Sequence, residues 1–224
     1  TIHCAITYFD PETKSAGYLV GSDSRAAIKV VAGEALKNIK KVFWVDKSFR
    51  GRDTIGVIRG RLLVKGREPQ NKFSIVMQSL ENLFDGIDEG ADYSDVPVLG
   101  DFEQYILLIG KRTNSTLDLY TVSNIRKDNL NIAKRLHRLT PEMYHTENGT
   151  LFWYAPNTPD YLEIRLSKRC DAKEAQYFLE KLLTGPLSIS MKRVLKMDRG
   201  YDPGKPNIYR LNFQGILRIS ETSQ

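Results

Sequence analysis

The opening of the chain is written for an extended hairpin. Thr1-Ile2-His3-Cys4-Ala5-Ile6-Thr7-Tyr8-Phe9 alternates, with Ile2, Cys4, Ile6 and Tyr8 on one face and Thr1, His3, Ala5 and Thr7 on the other. Asp10-Pro11-Glu12-Thr13-Lys14 is turn chemistry, long for a hairpin loop. Ser15-Ala16-Gly17-Tyr18-Leu19-Val20-Gly21 then returns as a second strand and runs into Ser22-Asp23-Ser24-Arg25. A strand headed by Thr1 therefore lies beside one that delivers an Asp and an Arg at its end. A threonine at a free N-terminus carries its own candidate base, the α-amine, and that pair is a known activated nucleophile.

Further along, residues 27–36 read as a loop and 39–46 as a third strand, with Lys41, Phe43 and Val45 on one face. Residues 54–64 read as a fourth strand containing Gly56 and Gly60, and a glycine inside a strand marks close backbone approach or a bulge. Phe73, Val76, Met77, Leu80, Leu83 and Phe84 form an apolar helical stripe over 70–84. An acidic connection follows over 85–95. Two more strands span 102–111 and 116–123, and 129–139 reads as a short basic helix ending before Pro141. Residues 150–154 are a brief strand, and 161–166 are extended or helical. Asp171 with Glu174 is a capping-box pattern, opening a helix that Gly185-Pro186 stops. A further helix covers 188–197, and strands over 207–213 and 216–220 close the chain. Strands, helix, strands, helices, strands suit α+β layering of sheets covered by helices, in a single domain over 1–224.

Composition bounds the class. The chain has 224 residues, enough for a substantial core, and a charged fraction of 27% that is ordinary for a water-soluble protein. Its longest apolar run, Tyr105-Ile106-Leu107-Leu108-Ile109, is far too short to span a membrane. Two cysteines, Cys4 and Cys170, make no disulfide framework and fit a reducing compartment, the cytoplasm. A net charge of +6 permits contact with nucleic acid. The basic clusters carry no nucleic-acid module signature, so solvated faces explain them better. His3 and Cys4 are neighbours on a strand, face opposite ways and cannot form a dyad. His137 and His145 have no partners at zinc-ligand spacing.

Gly21-Ser22-Asp23-Ser24-Arg25-Ala26-Ala27 and the Lys40-Lys41 pair opening the third strand resemble landmarks of the proteasome β-subunit family of N-terminal-nucleophile hydrolases. In that family the mature chain begins with Thr, the second strand ends in a motif like Ala-Asp-Ser-Arg-Ala-Thr, and the second Lys of a Lys-Lys pair enters the active site. The resemblance covers roughly the first quarter of the chain. It implies a four-layer αββα sandwich: two antiparallel sheets packed together, with helices on both outer faces. It also implies ring assemblies, a peptide or unfolded-protein substrate, no metal or organic cofactor, and a regulatory ATPase or cap as a candidate partner.

Residue by residue, the resemblance makes Thr1 the nucleophile, Lys41 the cation that favours its deprotonation, and Asp23 the carboxylate that holds Lys41. Arg25 matches a family position near the site with a structural role. The oxyanion donor is a backbone N–H from a glycine at the end of the fourth strand; Gly60 is preferred to Gly56 because it follows the apolar run. Asp198 falls where the family has a late supporting Asp. Tyr201 stands where the family has Ser, and Thr150 in Asn148-Gly149-Thr150 is the nearest hydroxyl to a mid-chain supporting Ser. Three functions follow: a threonine-type peptidase or amidase, a non-catalytic subunit of the same fold, and a basic nucleic-acid-binding protein.

Overall fold

The structure, a computed structural model, describes residues 3–23, 25–30, 33–38, 42–45, 53–60, 93–96, 105–123, 131–145, 147–154, 161–185 and 205–220. The expected helices over 70–84 and 188–197 lie outside them. The first hairpin forms as its alternation dictates: β1 (His3–Asp10) and β2 (Ser15–Ser22) pair antiparallel from His3↔Ser22 to Asp10↔Ser15. The turn is closed by its own chemistry. The Asp10 carboxylate accepts from the Glu12 and Thr13 N–H groups at 2.9 and 3.3 Å, and Lys14 takes the left-handed conformation at φ 48°.

This hairpin sits in the middle of a six-stranded antiparallel sheet ordered β12-β11-β1-β2-β13-β14. Its other members are β11 (Thr150–Tyr154), β12 (Leu162–Arg165), β13 (Asn207–Asn212) and β14 (Gly215–Ser220). A second antiparallel sheet has the order β5-β6-β8-β9-β10-β7. It is built from β5 (Val42–Val45), β6 (Asp53–Gly60), β7 (Tyr93–Val96), β8 (Tyr105–Arg112), β9 (Leu117–Ser123) and β10 (Asn131–Leu139). A separate hairpin pairs β3 (Arg25–Val30) with β4 (Gly33–Asn38).

Both faces of the first sheet are dry along its central strands β1 and β2. Ala5, Phe9, Ala16, Tyr18, Val20, Phe152, Tyr154, Tyr209 and Leu211 face one core, joined there by Leu108, Leu117, Leu119 and Leu139 of the second sheet. Polar ties cross this inter-sheet layer. The Tyr18 hydroxyl donates to the Leu117 carbonyl at 3.3 Å and lies 2.8 Å from His137 Nδ1, while Arg112 Nη1 donates to the Phe213 carbonyl at 2.8 Å. Cys4, Ile6, Tyr8, Leu19, Leu151 and Ile208 point the other way, onto the one α-helix among the described residues, α1 (Ala172–Thr184).

That helix begins as its capping box predicts. The Asp171 carboxylate accepts from the Glu174 N–H at 2.8 Å, and the Glu174 carboxylate accepts from the Asp171 N–H at 3.2 Å. Ala175, Leu179 and Leu183 are its buried stripe, and the Gly185 N–H closes the end on the Lys181 carbonyl at 2.8 Å. No helix among the described residues is long and apolar enough to cross a membrane.

Three expectations are corrected. Residues 131–139 of the expected basic helix over 129–139 form strand β10, paired along β9. The bulge between Arg135 and His137 explains the misleading pattern, because it breaks strict alternation and brings Leu136 and Leu139, three apart as on a helix, to the same core. The expected loop over 27–36 is instead most of the β3–β4 hairpin, with Val30 opposite Gly33. The acidic connection ends in β7, whose edge position a charged, mixed strand tolerates. The fourth strand forms over Asp53–Gly60, and the remainder of its expected span, 61–64, lies outside the described residues.

Two glycines mark close packing, Gly17 within the first sheet and Gly21 between that sheet and α1. A Cβ at Gly17 would meet the Leu211 carbonyl oxygen at 2.5 Å and the Tyr8 ring at 2.7 Å. A Cβ at Gly21 would meet only leucine side-chain tips of α1 closer than 3.4 Å, the nearest at 2.9 Å. Backbone cannot yield as a methyl can, so Gly17→Ala is expected to cost roughly 2–3 kcal/mol and Gly21→Ala roughly 1 kcal/mol. Urea unfolding of both variants checks the order.

His137 gives a second expectation. Its pKa is lowered, chiefly by burial; Glu147 and Glu163 act to raise it, Arg165 to lower it and Asp118 to raise it. A histidine with a depressed folded pKa binds its proton more readily when unfolded. Its contribution to stability is therefore present above the ordinary histidine pKa of about 6.5 and is lost as pH falls through the folded value. His137→Gln should flatten the stability profile below that pH relative to wild type, measured by thermal unfolding across a pH series.

Candidate functional site

The head of β1 is where the sequence argument converges, and the sheet brings several chain-distant residues there. His3 pairs with Ser22 on one side and Tyr154 on the other, and Ser22 in turn pairs with Asn207. Asp23 follows directly at the end of β2. His3, Ser22, Asp23 and Asn207 are each fully buried. A buried carboxylate is costly unless hydrogen bonds or a cation compensate it, so Asp23 marks a place where the fold invests in a charge. The Ser22 hydroxyl donates to the Asp23 carbonyl at 2.9 Å and lies 3.5 Å from its carboxylate.

On the inter-sheet face of this end, His3 Nδ1 shares a 3.0 Å hydrogen bond with the Tyr161 hydroxyl. The Tyr154 ring lies beside both, with centroids 6.2 Å from His3 and 5.4 Å from Tyr161. This polar aromatic cluster was not legible in the sequence. Its members are as much as 158 positions apart, and no local spacing connects them.

Cys4 points to the opposite face, among residues of α1, so the adjacent His3 and Cys4 do diverge as strand geometry requires. Burial pushes the Cys4 thiol far up, and the nearby Asp23 charge pushes it further in the same direction. Cys4 is therefore held as a thiol and is no nucleophile at neutral pH. Cys170 is raised as well, first by burial and then by Glu174.

The remaining predicted residues divide. Arg25 opens β3, opposite Asn38. Gly60 is the last residue of β6, opposite Tyr105. Gly56 is flanked by Phe43 of β5 and Ile109 of β8, so ladders on both sides claim its backbone. Thr150 is not brought to the head of β1. It lies opposite Thr7, whose hydroxyl accepts from the Thr150 N–H at 2.7 Å, about 13 Å along the strand from His3 at the usual rise per residue. Thr1, Lys41, Asp198 and Tyr201, with Lys40, lie outside the described residues. Among the described residues no group of three or more His, Cys, Asp or Glu could hold a metal ion.

No family model, curated protein or solved structure matches the chain. The functional reading therefore stands on the chain's own residues.

The thiol environment makes a direct expectation. Native protein at pH 7.5 should react slowly with a maleimide at both cysteines, and Cys4 should label only after unfolding in guanidinium. Peptide mapping of the adduct reads this, and rapid native labelling of Cys4 would contradict its burial.

Proposed function

We propose that the chain is an N-terminal-threonine peptidase or amidase of the proteasome β type. The observation that carries the reading is Asp23: a fully buried carboxylate at the end of β2, beside the head of β1, within the motif Ser22-Asp23-Ser24-Arg25. A two-sheet sandwich with β1 and β2 central to one sheet suits it too. The finer architecture belongs to the same proposal: a four-layer αββα sandwich with helices on both outer faces of the paired sheets.

In this mechanism Thr1 Oγ attacks the substrate carbonyl and the Thr1 α-amine takes the proton, directly or through water. The positive charge of Lys41 favours the deprotonated hydroxyl and the neutral amine, and Asp23 holds Lys41 charged and oriented. The Gly60 N–H stabilises the oxyanion, and Asp198 orients the amine. The Thr1 α-ammonium gives its proton to the leaving amine as the C–N bond breaks, and water then hydrolyses the acyl-enzyme ester, releasing the acid and restoring the Thr1 hydroxyl. The mechanism requires a free α-amine on Thr1 in the mature protein, which N-terminal sequencing tests directly.

A second reading is a non-catalytic subunit of the same fold. Two observations favour it: Tyr201 replaces the family's serine, and Thr150 lies opposite Thr7, away from Asp23. One experiment separates the two. A β-lactone or epoxyketone probe should add covalently to Thr1, as read by intact mass and peptide mapping, and Thr1→Ala should abolish the adduct. Turnover of short fluorogenic acyl-peptides should fall at least a hundredfold in Lys41→Ala and little in Lys40→Ala, as for loss of a general acid–base contribution. Absence of both adduct and turnover in a protein with free Thr1 selects the non-catalytic reading.

A further inference from the structure

The first sheet ends at β12, and among the described residues no strand pairs with its outer side. All of Leu162–Arg165 is exposed. Leu162 and Ile164, at 41% and 43% exposure, lie on the α1 side of the sheet, in register with Trp153 and Leu151. Glu163 and Arg165 lie on the other side, their side chains 47% and 86% exposed and separated by a loose 3.7 Å contact. An open edge carrying exposed aliphatic residues is a template for strand addition.

We infer that the outer edge of β12 is the pairing surface for a second copy of this chain, joined antiparallel about a two-fold axis through Ile164. The charge pattern selects that register, because the sequence Leu162-Glu163-Ile164-Arg165-Leu166 is self-complementary. About Ile164, Glu163 of one copy faces Arg165 of the other, Leu162 faces Leu166, and Ile164 faces itself. Sliding to the neighbouring two-fold registers sets Glu163 opposite Glu163 or Arg165 opposite Arg165, a like-charge clash that disfavours them.

Hydrogen-bond parity is compatible with this pairing. The Leu166 N–H donates inward to the Gly149 carbonyl at 2.7 Å. Backbone groups alternate sides along an antiparallel strand, so those of Ile164 and Leu162 also point to β11, and those of Glu163 and Arg165 point outward. The outward residues are the ones that the charge pattern sets opposite each other. Glu163 and Arg165 then form the hydrogen-bonded pairs, and the two Ile164 side chains meet in the closer, non-hydrogen-bonded position. The axis runs through the sheet, so the aliphatic residues of both copies continue one stripe on the α1 side and the charges gather on the other. Such an isologous contact closes on itself and adds no open edge.

This inference stands apart from the catalytic reading, and its test reads mass, not turnover. Sedimentation velocity of the purified chain at micromolar concentration should give an assembly whose mass is halved by Glu163→Arg and equally by Arg165→Glu. Both positions are exposed, so circular dichroism should be unchanged. An equimolar mixture of the two variants sets the paired arginines of one strand against the paired glutamates of the other. It should restore the wild-type mass, as should the double variant carrying both substitutions. A monomeric wild type, an edge that takes up only an added peptide, an assembly unmoved by both charge reversals, or a mixture that fails to reassociate would overturn the proposal.

Discussion

Everything in this molecule leans on a strand that is buried on both faces. β1 is hydrogen-bonded to β2 on one edge and β11 on the other, with the second sheet over one face and α1 over the other. A strand so enclosed has no solvent face on which to place polar groups. His3, Thr7 and the neighbouring Asp23 must therefore find partners inside the protein. Thr7 does so on the backbone of Thr150, and His3 on Tyr161. The polar residues of β1 thus act as fixed points that hold β11 and the segment before β12 in register.

The same enclosure shapes the chemistry available at the head of β1. A carboxylate in a dry site exerts its field strongly, because little water screens it. The Cys4 thiol on the other face of the sheet is already shifted by that field. An ammonium group brought beside Asp23 would be held charged for the same reason, which is the property the proposed mechanism asks of Lys41. The aromatic cluster of His3, Tyr154 and Tyr161 closes the inter-sheet side of this end and keeps it dry.

The two edges of the first sheet are managed differently. The β13–β14 hairpin finishes one side with a tight turn, where the Asn212 side chain accepts from the Gln214 and Gly215 N–H groups at 3.0 Å each. On the opposite side, β12 carries alternating aliphatic and charged residues. Opposite charges two positions apart do not simply block pairing, as a single edge lysine would. They permit one register and oppose its neighbours.

Local sequence determined the elements whose chemistry is complete within a few residues. The β1–β2 hairpin follows from strict alternation around an Asp-Pro turn, and α1 follows from the Asp171–Glu174 box, its apolar stripe and Gly185. The last strand pair was legible for the same reason. Tertiary structure decided the rest. Residues 131–139 carry good helix formers, yet they lie as β10 because β9 offers a ladder and a bulge reconciles the spacing of Leu136 and Leu139 with a strand. Asp23 could be picked out from its motif, but its complete burial, and the meeting of His3 with Tyr161, depend on which strands become neighbours. Thr150 shows the limit most directly: a hydroxyl in a suggestive tripeptide is carried to Thr7, because antiparallel register, and not the motif, sets where along β1 it falls.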